Sequence, residues 1–160
     1  QADYAPLPKG PEAYTVAEIN RIRTSKGKEI PGKIRQEMQK DMMDWVGVFR
    51  EGPTVQKALD AVRELQQRYK SIGVQDTGAV FNTDILEAWE LGCLLDLAEV
   101  TALSALNRTE SRGAHWREDF PKRDDANWMK HTFVTLQDGK QVITYKPVTL
   151  TKFEPKERKY

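Results

Sequence analysis

One cysteine, two histidines and almost no net charge are found among 160 residues, and each scarcity removes a class of function. A lone Cys93 can close no internal disulfide and build no cysteine-based metal cluster. It lies within an apolar helical run, so it reads as a packed thiol, compatible with a reducing compartment. A mechanism that needs a histidine base must use His115 or His131. Lys and Arg total 25 against 24 Asp and Glu, so no global charge pulls the chain toward nucleic acid or anionic lipid. Catalytic signatures are missing as well. The sequence has no glycine-rich phosphate loop, no Gly-x-Gly-x-x-Gly after a strand, no serine in a nucleophile elbow and no histidine pair at metal spacing. No secretory leader pattern opens it, and it begins at Gln1 rather than Met, as a processed product or an excised segment would.

The composition that remains is that of a folded chain, at 39% hydrophobic, 31% charged and 9% aromatic. Residues 1–14, with Pro6, Pro8, Gly10 and Pro11, read as an irregular arm. Thr15-Val-Ala-Glu18 matches a capping box and predicts a short helix that stops near Gly27, so that residues 1–29 form an arm and a short helix. Pro31 suits the first turn of the next helix, where its missing N–H is not needed. That helix carries Ile34, Met38, Met42, Trp45 and Phe49 at spacings of three and four, and Gly52-Pro53 ends it. Met38, Met42 and Met43 read as core packing, and Trp45 and Trp89 as core or interdomain anchors. Val55, Leu59, Val62, Leu65, Tyr69 and Ile72 form the stripe of a third helix, which runs until Gly73.

Asn82 or Thr83 is placed to cap the longest helix, extending to about Arg108. Between Ile85 and Leu106, 15 of 22 residues are apolar, and Glu87, Glu90, Asp96 and Glu99 are scattered around the axis. A helix this apolar packs on more than one side, and its carboxylates weigh against a membrane span. They also lack the Glu-x-x-His pairing of a di-metal bundle. The pattern predicts a mainly α chain. An up-and-down antiparallel three-helix bundle over residues 30–109 is followed by an irregular segment and a C-terminal β-hairpin extension over 110–160. The hairpin signal is Asp138-Gly139 between Lys130–Leu136 and Gln141–Tyr145. The basic tail holds Lys152, Lys156, Arg158 and Lys159.

The densest polar constellation runs from Glu110 to Trp128. One reading is an anion-binding or proton-transfer site built from Arg112, His115 and Arg117. The other is an ion-pair network that locks an irregular segment to a neighbouring surface. Five carboxylates in the same stretch make self-neutralisation easy, and charge clusters are usually structural. Its Arg, Trp and His alternate with acids, which argues against a single-stranded nucleic-acid groove.

The run ESRGAHWREDFPKRDDANWMKHT, Glu110 to Thr132, resembles the C-terminal signature of succinate dehydrogenase and fumarate reductase flavoproteins. The segments from Glu90 to Glu99 and from Leu103 to Leu106 resemble the family's long helix. Arg35 to Met38 and Val48 to Arg50 are similar to its first bundle helix, and Pro155 to Tyr160 to its ending. L-aspartate oxidases share a related ESRG motif, but the RDD-x-NW and KHT continuation fits the dehydrogenase branch. Cys93 departs from the polar residue, often Asn, that many relatives carry.

The resemblance implies a scaffold domain that packs on the FAD-binding domain of the same polypeptide, with an iron–sulfur subunit as the parent's electron acceptor. The parent oxidises succinate to fumarate or the reverse, as a peripheral part of a respiratory complex on the bacterial cytoplasmic or mitochondrial matrix side. In such proteins the dinucleotide-binding glycines, the flavin-linking histidine and the catalytic His and Arg lie earlier in the chain. The resemblance thus implies no catalytic, cofactor-binding or metal residue here, and no direct membrane insertion. Arg112, Gly113, His115, Arg117, Arg123, Asp124 and Asp125 are the expected interdomain contacts, with Gly113 letting the backbone turn. Arg112→Ala is expected to weaken docking and leave the bundle's stability nearly unchanged. A free-standing helical protein-interaction module is the competing reading. An independent enzyme using Arg112 and His115 is a third.

Overall fold

The computed structural model describes residues 4–153 and 155–156. Arg158, Lys159 and the end of the Pro155–Tyr160 motif lie outside the described residues. The elements, in order, are α1 (Ala13–Thr24), α2 (Pro31–Val46), α3 (Gly52–Tyr69), α4 (Thr83–Asn107), α5 (Asp125–Trp128), β1 (Lys130–Gln137) and β2 (Lys140–Pro147). The fold is mainly α with a C-terminal hairpin.

Helices α2, α3 and α4 pack against one another, and α4 also receives α1 and β1. That surrounds α4 and explains why its apolar residues cover most of its circumference. The core has two parts along the bundle. Ile34, Met38, Val62, Leu65, Leu91 and Leu95 fill one, with Ile22 of α1. Val46, Val55, Leu59, Ala102 and Ala105 fill the other, toward the C-terminus of α4.

Several local signals act as the sequence predicts. Pro31 opens α2, and the Asn82 side chain accepts a hydrogen bond from the Ile85 N–H at the start of α4. Asp138 and Gly139 take φ of 50° and 74°, the two left-handed positions of a type I′ turn, and fix the register of β1 with β2. Gln141 Nε2 donates to Glu99 Oε2 at 2.9 Å, docking the hairpin on α4. After α3 the chain returns to the α1–α2 linker, where Glu29 N bonds Ser71 O and Gly73 N bonds Glu29 O. A Cβ on Gly27 would stand 1.8 Å from Ser71 O, so this crossing admits only glycine there.

Other expectations are corrected. No Thr15 capping box forms, because α1 starts at Ala13 and Thr15 lies inside it. Glu18, the other half of that pattern, instead forms an i,i+3 ion pair with Arg21. Helix α2 stops at Val46, so Phe49 leaves the stripe, and Gly52-Pro53 begins α3 rather than breaking α2. Met38 is buried but Met43 is exposed. Cys93 is exposed as well, since the core face of α4 passes through Leu91 and Leu95 and turns Cys93 away. Trp45 and Trp89 are half-buried, one against each part of the core.

Candidate functional site

The segment between α4 and β1 is held by side chains rather than by regular secondary structure. Arg112 and His115 exchange both backbone hydrogen bonds, at 2.8 and 3.0 Å, closing a two-residue turn. Gly113 occupies its first central position with φ of 59°, which favours glycine. Arg50, in the α2–α3 connection, pairs in parallel with Arg117, and the Glu118 N–H reaches Arg50 O at 2.8 Å. Ser111 Oγ accepts from the Arg117 N–H at 2.8 Å and donates to Phe120 O at 2.9 Å, holding the loop onto itself.

Two ionic centres organise the segment. The first is Arg117, which is 2% exposed. Its Nη1 donates to Ala105 O and Leu106 O, both at 2.9 Å, closing carbonyls that the end of α4 leaves without intrahelical partners. Its other face grips Asp119, with Nε to Oδ1 and Nη2 to Oδ2 each at 2.7 Å. Asp119 in turn accepts the Gly52 N–H at 2.9 Å, at the first turn of α3. One ion pair therefore sets a cation on the negative end of α4 and an anion on the positive end of α3. The Arg117 bonds, with the Gly52 N–H, hold the Asp119 carboxyl down at about 2.

The second centre is Glu110, which is 0% exposed. Oε1 accepts from Arg108 and Arg112 at 2.6 and 2.8 Å, and Oε2 from Arg112 and the Asp124 N–H at 2.9 and 2.8 Å. Burial pushes this carboxyl up, but those hydrogen bonds outweigh it and hold the group below the ordinary glutamate range. Arg112 continues to Asp125, which also receives Arg123. Asp124 caps α5 by accepting the Asn127 N–H at 3.0 Å, and Arg123 Nη1 donates to Lys156 O.

His115 is half-buried between arginines. Its Nδ1 lies 2.9 Å from Arg50 Nη1, which can only donate, so Nδ1 accepts and Nε2 carries the proton given to Arg108 O. Burial and the nearby cations Arg50, Arg117 and Arg108 push the imidazole below its ordinary value, against the opposing pull of the Arg108 carbonyl. Burial likewise lowers the Arg50 guanidinium, with Arg117 adding to it.

All seven residues expected at an interdomain seam are thus gathered in one short stretch of structure, largely bonded to one another and to α3 and α4. Their bonds bear on the Arg112→Ala expectation. Arg112 supplies two bonds to a fully buried carboxylate, so its loss would loosen this segment as well as any docking surface. The sequence pattern placed Glu110 among the neutralising carboxylates but gave no sign of Arg50 and Arg108 as partners. Arg50 lies 65 positions from His115, and no local spacing signals that contact.

Several apolar side chains next to the buried charges in sequence are exposed. Val48 and Phe49 are 71% and 69% exposed, and Trp116 and Phe120 are 40% and 41% exposed on the strand-like partner segment. Among the described residues no group of three His, Cys, Asp or Glu is placed to hold a metal ion, and no helix is long and apolar enough to cross a membrane. The sheet formed by the described residues is a two-stranded antiparallel hairpin.

Comparison with known proteins gives concordant matches. The family described as "Fumarate reductase flavoprotein C-term" matches residues 35–160. The fumarate reductase flavoprotein subunit of Haemophilus influenzae is 44% identical over 146 residues, 91% of this chain and 24% of that protein. The succinate dehydrogenase flavoprotein subunit of Rickettsia felis is 39% identical over 149 residues, 92% of this chain and 25% of that protein. Among solved structures, a variant of the E. coli quinol fumarate reductase superposes with a TM-score of 0.85 at 36% identity, covering 96% of this chain and 27% of that one. The chain spans about a quarter of the length of the curated relatives it matches.

Proposed function

The chain belongs to the C-terminal family of fumarate reductase and succinate dehydrogenase flavoproteins, and from that premise we propose that it is the non-catalytic closing domain of such an enzyme. It packs on the FAD-binding domain of the same polypeptide through the segment from Glu110 to Trp128 and the adjoining α2–α3 connection. The observation that carries this reading is the exposure of Val48, Phe49, Trp116 and Phe120 on the two segments joined by the Arg50–Arg117 pairing. Those side chains stand on a base made rigid by buried ion pairs, as an apolar face built to be covered would be.

Gly113, Arg112 and Arg123 belong to the same segment and would add polar contacts to that docking. Arg117 acts from beneath, by positioning Trp116 and Phe120, while Asp124 and Asp125 fix the far end. His115, kept neutral, holds the two segments in register without adding charge. FAD and the chemistry of succinate and fumarate belong to the remaining three quarters of the flavoprotein. Its iron–sulfur partner subunit accepts electrons there, at the membrane periphery of a respiratory complex.

Two measurements test this. Purified chain supplied with FAD, succinate and an electron-accepting dye is expected to give no turnover, and turnover would overturn the non-catalytic assignment. The flavin-binding remainder of the flavoprotein, produced separately, is expected to bind this chain and to retain FAD longer in its presence. Absence of binding would overturn the packing assignment.

A further inference from the structure

Between the C-terminal half of α4, the turn at Gly113 and the start of β1 lies an open cleft of about 590 Å³. Arg50, Arg108, Arg112 and Lys130 line it, together with both histidines of the chain, and no Asp or Glu does. We infer that this cleft is a binding site for a carboxylate anion, received by Arg50 and Lys130.

The assignment rests on which cations already have partners. Arg108 gives both terminal nitrogens to Glu110, Trp128 O, Lys130 O and Thr132 Oγ1, so it shapes the wall. Arg112 is matched by Glu110 and Asp125. Arg50 differs. Its bonds go to the Val46 and Gly47 carbonyls and to neutral His115, and no carboxylate meets it among the described residues. It is a half-buried cation with Arg117 close by, an arrangement that an incoming anion relieves.

Lys130 also has no ion pair among the described residues. Its ammonium is held over the rings of Trp128 and Tyr145, at 4.6 and 4.0 Å from their centroids, which points it while leaving its N–H donors for a ligand. Thr101, Ser104 and Thr132 add hydroxyls, and Val100 and Trp128 an apolar wall suited to a short carbon skeleton. The second groove, along α1, α3 and the hairpin, mixes Arg21, Arg63 and Lys140 with Glu18, Asp96 and Glu99 and lacks this single-signed lining.

Binding is tested on the chain by itself, so it can fail while the docking reading holds, and only the side-chain source below rests on that reading. The carboxylate can come from a small free acid or from an acidic side chain elsewhere in the assembly. The His115 imidazole is bonded to Arg50 at the edge of the cleft, so its NMR signals report on an anion received there. The chain is titrated with glutarate and with acetate, and chloride at matched ionic strength is the control.

Saturable shifts of the His115 imidazole are expected with the carboxylates and not with chloride. Arg50→Gln and Lys130→Gln are each expected to weaken binding about tenfold. Arg50 also caps α2, so the Lys130 variant, with circular dichroism unchanged, keeps the test decisive if the other fails to fold. Tighter binding of glutarate than acetate supports a free diacid as the natural occupant. Equal binding of both supports a single side-chain carboxylate. Shifts that chloride reproduces, or that survive both substitutions, would overturn the site.

Discussion

The Arg117 guanidinium touches the C-terminus of α4 with one nitrogen and Asp119 with the other two, and Asp119 reaches the first N–H of α3. Removing Asp119 would leave a buried cation short of its counter-charge and an N–H of the first turn without its acceptor. The sign of the pH effect follows from the shift. In the unfolded chain Asp119 titrates near its ordinary 3.8, and in the fold it is held down at about 2. The folded state thus binds the proton less readily, so the stabilisation is complete above pH 4 and disappears as pH falls through 2. The midpoint of thermal unfolding should fall over that window. Asp119→Asn, measured at pH 7 by denaturant unfolding, should already have lost about 1–2 kcal/mol, a figure kept low because the carboxylate is partly exposed. Its own acid dependence between pH 4 and 2 should be shallower than that of the native chain. Equal slopes for the two proteins would show that Asp119 does not carry this dependence.

At the scale of elements, legibility followed locality. Pro31 at the start of α2, Asn82 before α4 and Asp138-Gly139 in the hairpin are each decided by a few neighbouring residues, and their sequence pattern was sufficient. Phe49 continues the spacing of α2 but lies beyond Val46, because the parallel pairing of Arg50 with Arg117 draws that segment out of the helix. Cys93 and Met43 lie on apolar helices whose inward faces only packing could identify. The candidate site was legible as a cluster but not as a network, since the Arg50–His115 and Gly52–Asp119 contacts join distant positions. The cap of α4 offers a test at this scale. Asn82 also donates from Nδ2 to the Asp76 and Gly78 carbonyls, at 2.7 and 2.9 Å, so it ties the preceding loop to the helix it starts. Asn82→Ala should lower stability by about 1–2 kcal/mol, the cap together with a share of the loop bonds. In urea this should appear as a lower midpoint with an unchanged slope, because the bundle still unfolds as one unit. A changed slope would mean that the cap governs the cooperativity of α4 as well.

For the whole molecule, the question is what the exposed apolar side chains do when nothing covers them. Val48, Phe49, Trp116 and Phe120 are exposed on the two segments that the Arg50–Arg117 pairing joins, and Val80 and Phe81 add exposed apolar surface in the α3–α4 connection. Chains that function alone seldom leave a large apolar patch open. A near-neutral net charge gives little long-range repulsion to keep two such faces apart. The chain by itself should therefore self-associate, with a sedimentation coefficient that rises with concentration. The contact should be weak, because a surface shaped for one partner fits a second copy of itself poorly. Val48→Ser with Phe49→Ser should return the chain to a monomer. The thermal midpoint should change little, since both side chains are mostly in solvent and lie outside the two parts of the core. The same pair of substitutions should weaken binding of the flavin-binding remainder, because one face serves both contacts. If the native chain stays monomeric over the full concentration range, these side chains are not a face awaiting cover, and a free-standing interaction module becomes the better description. If it self-associates and the substituted chain does not, they belong to the contact surface, and the neighbouring buried ion pairs are what give that surface its shape.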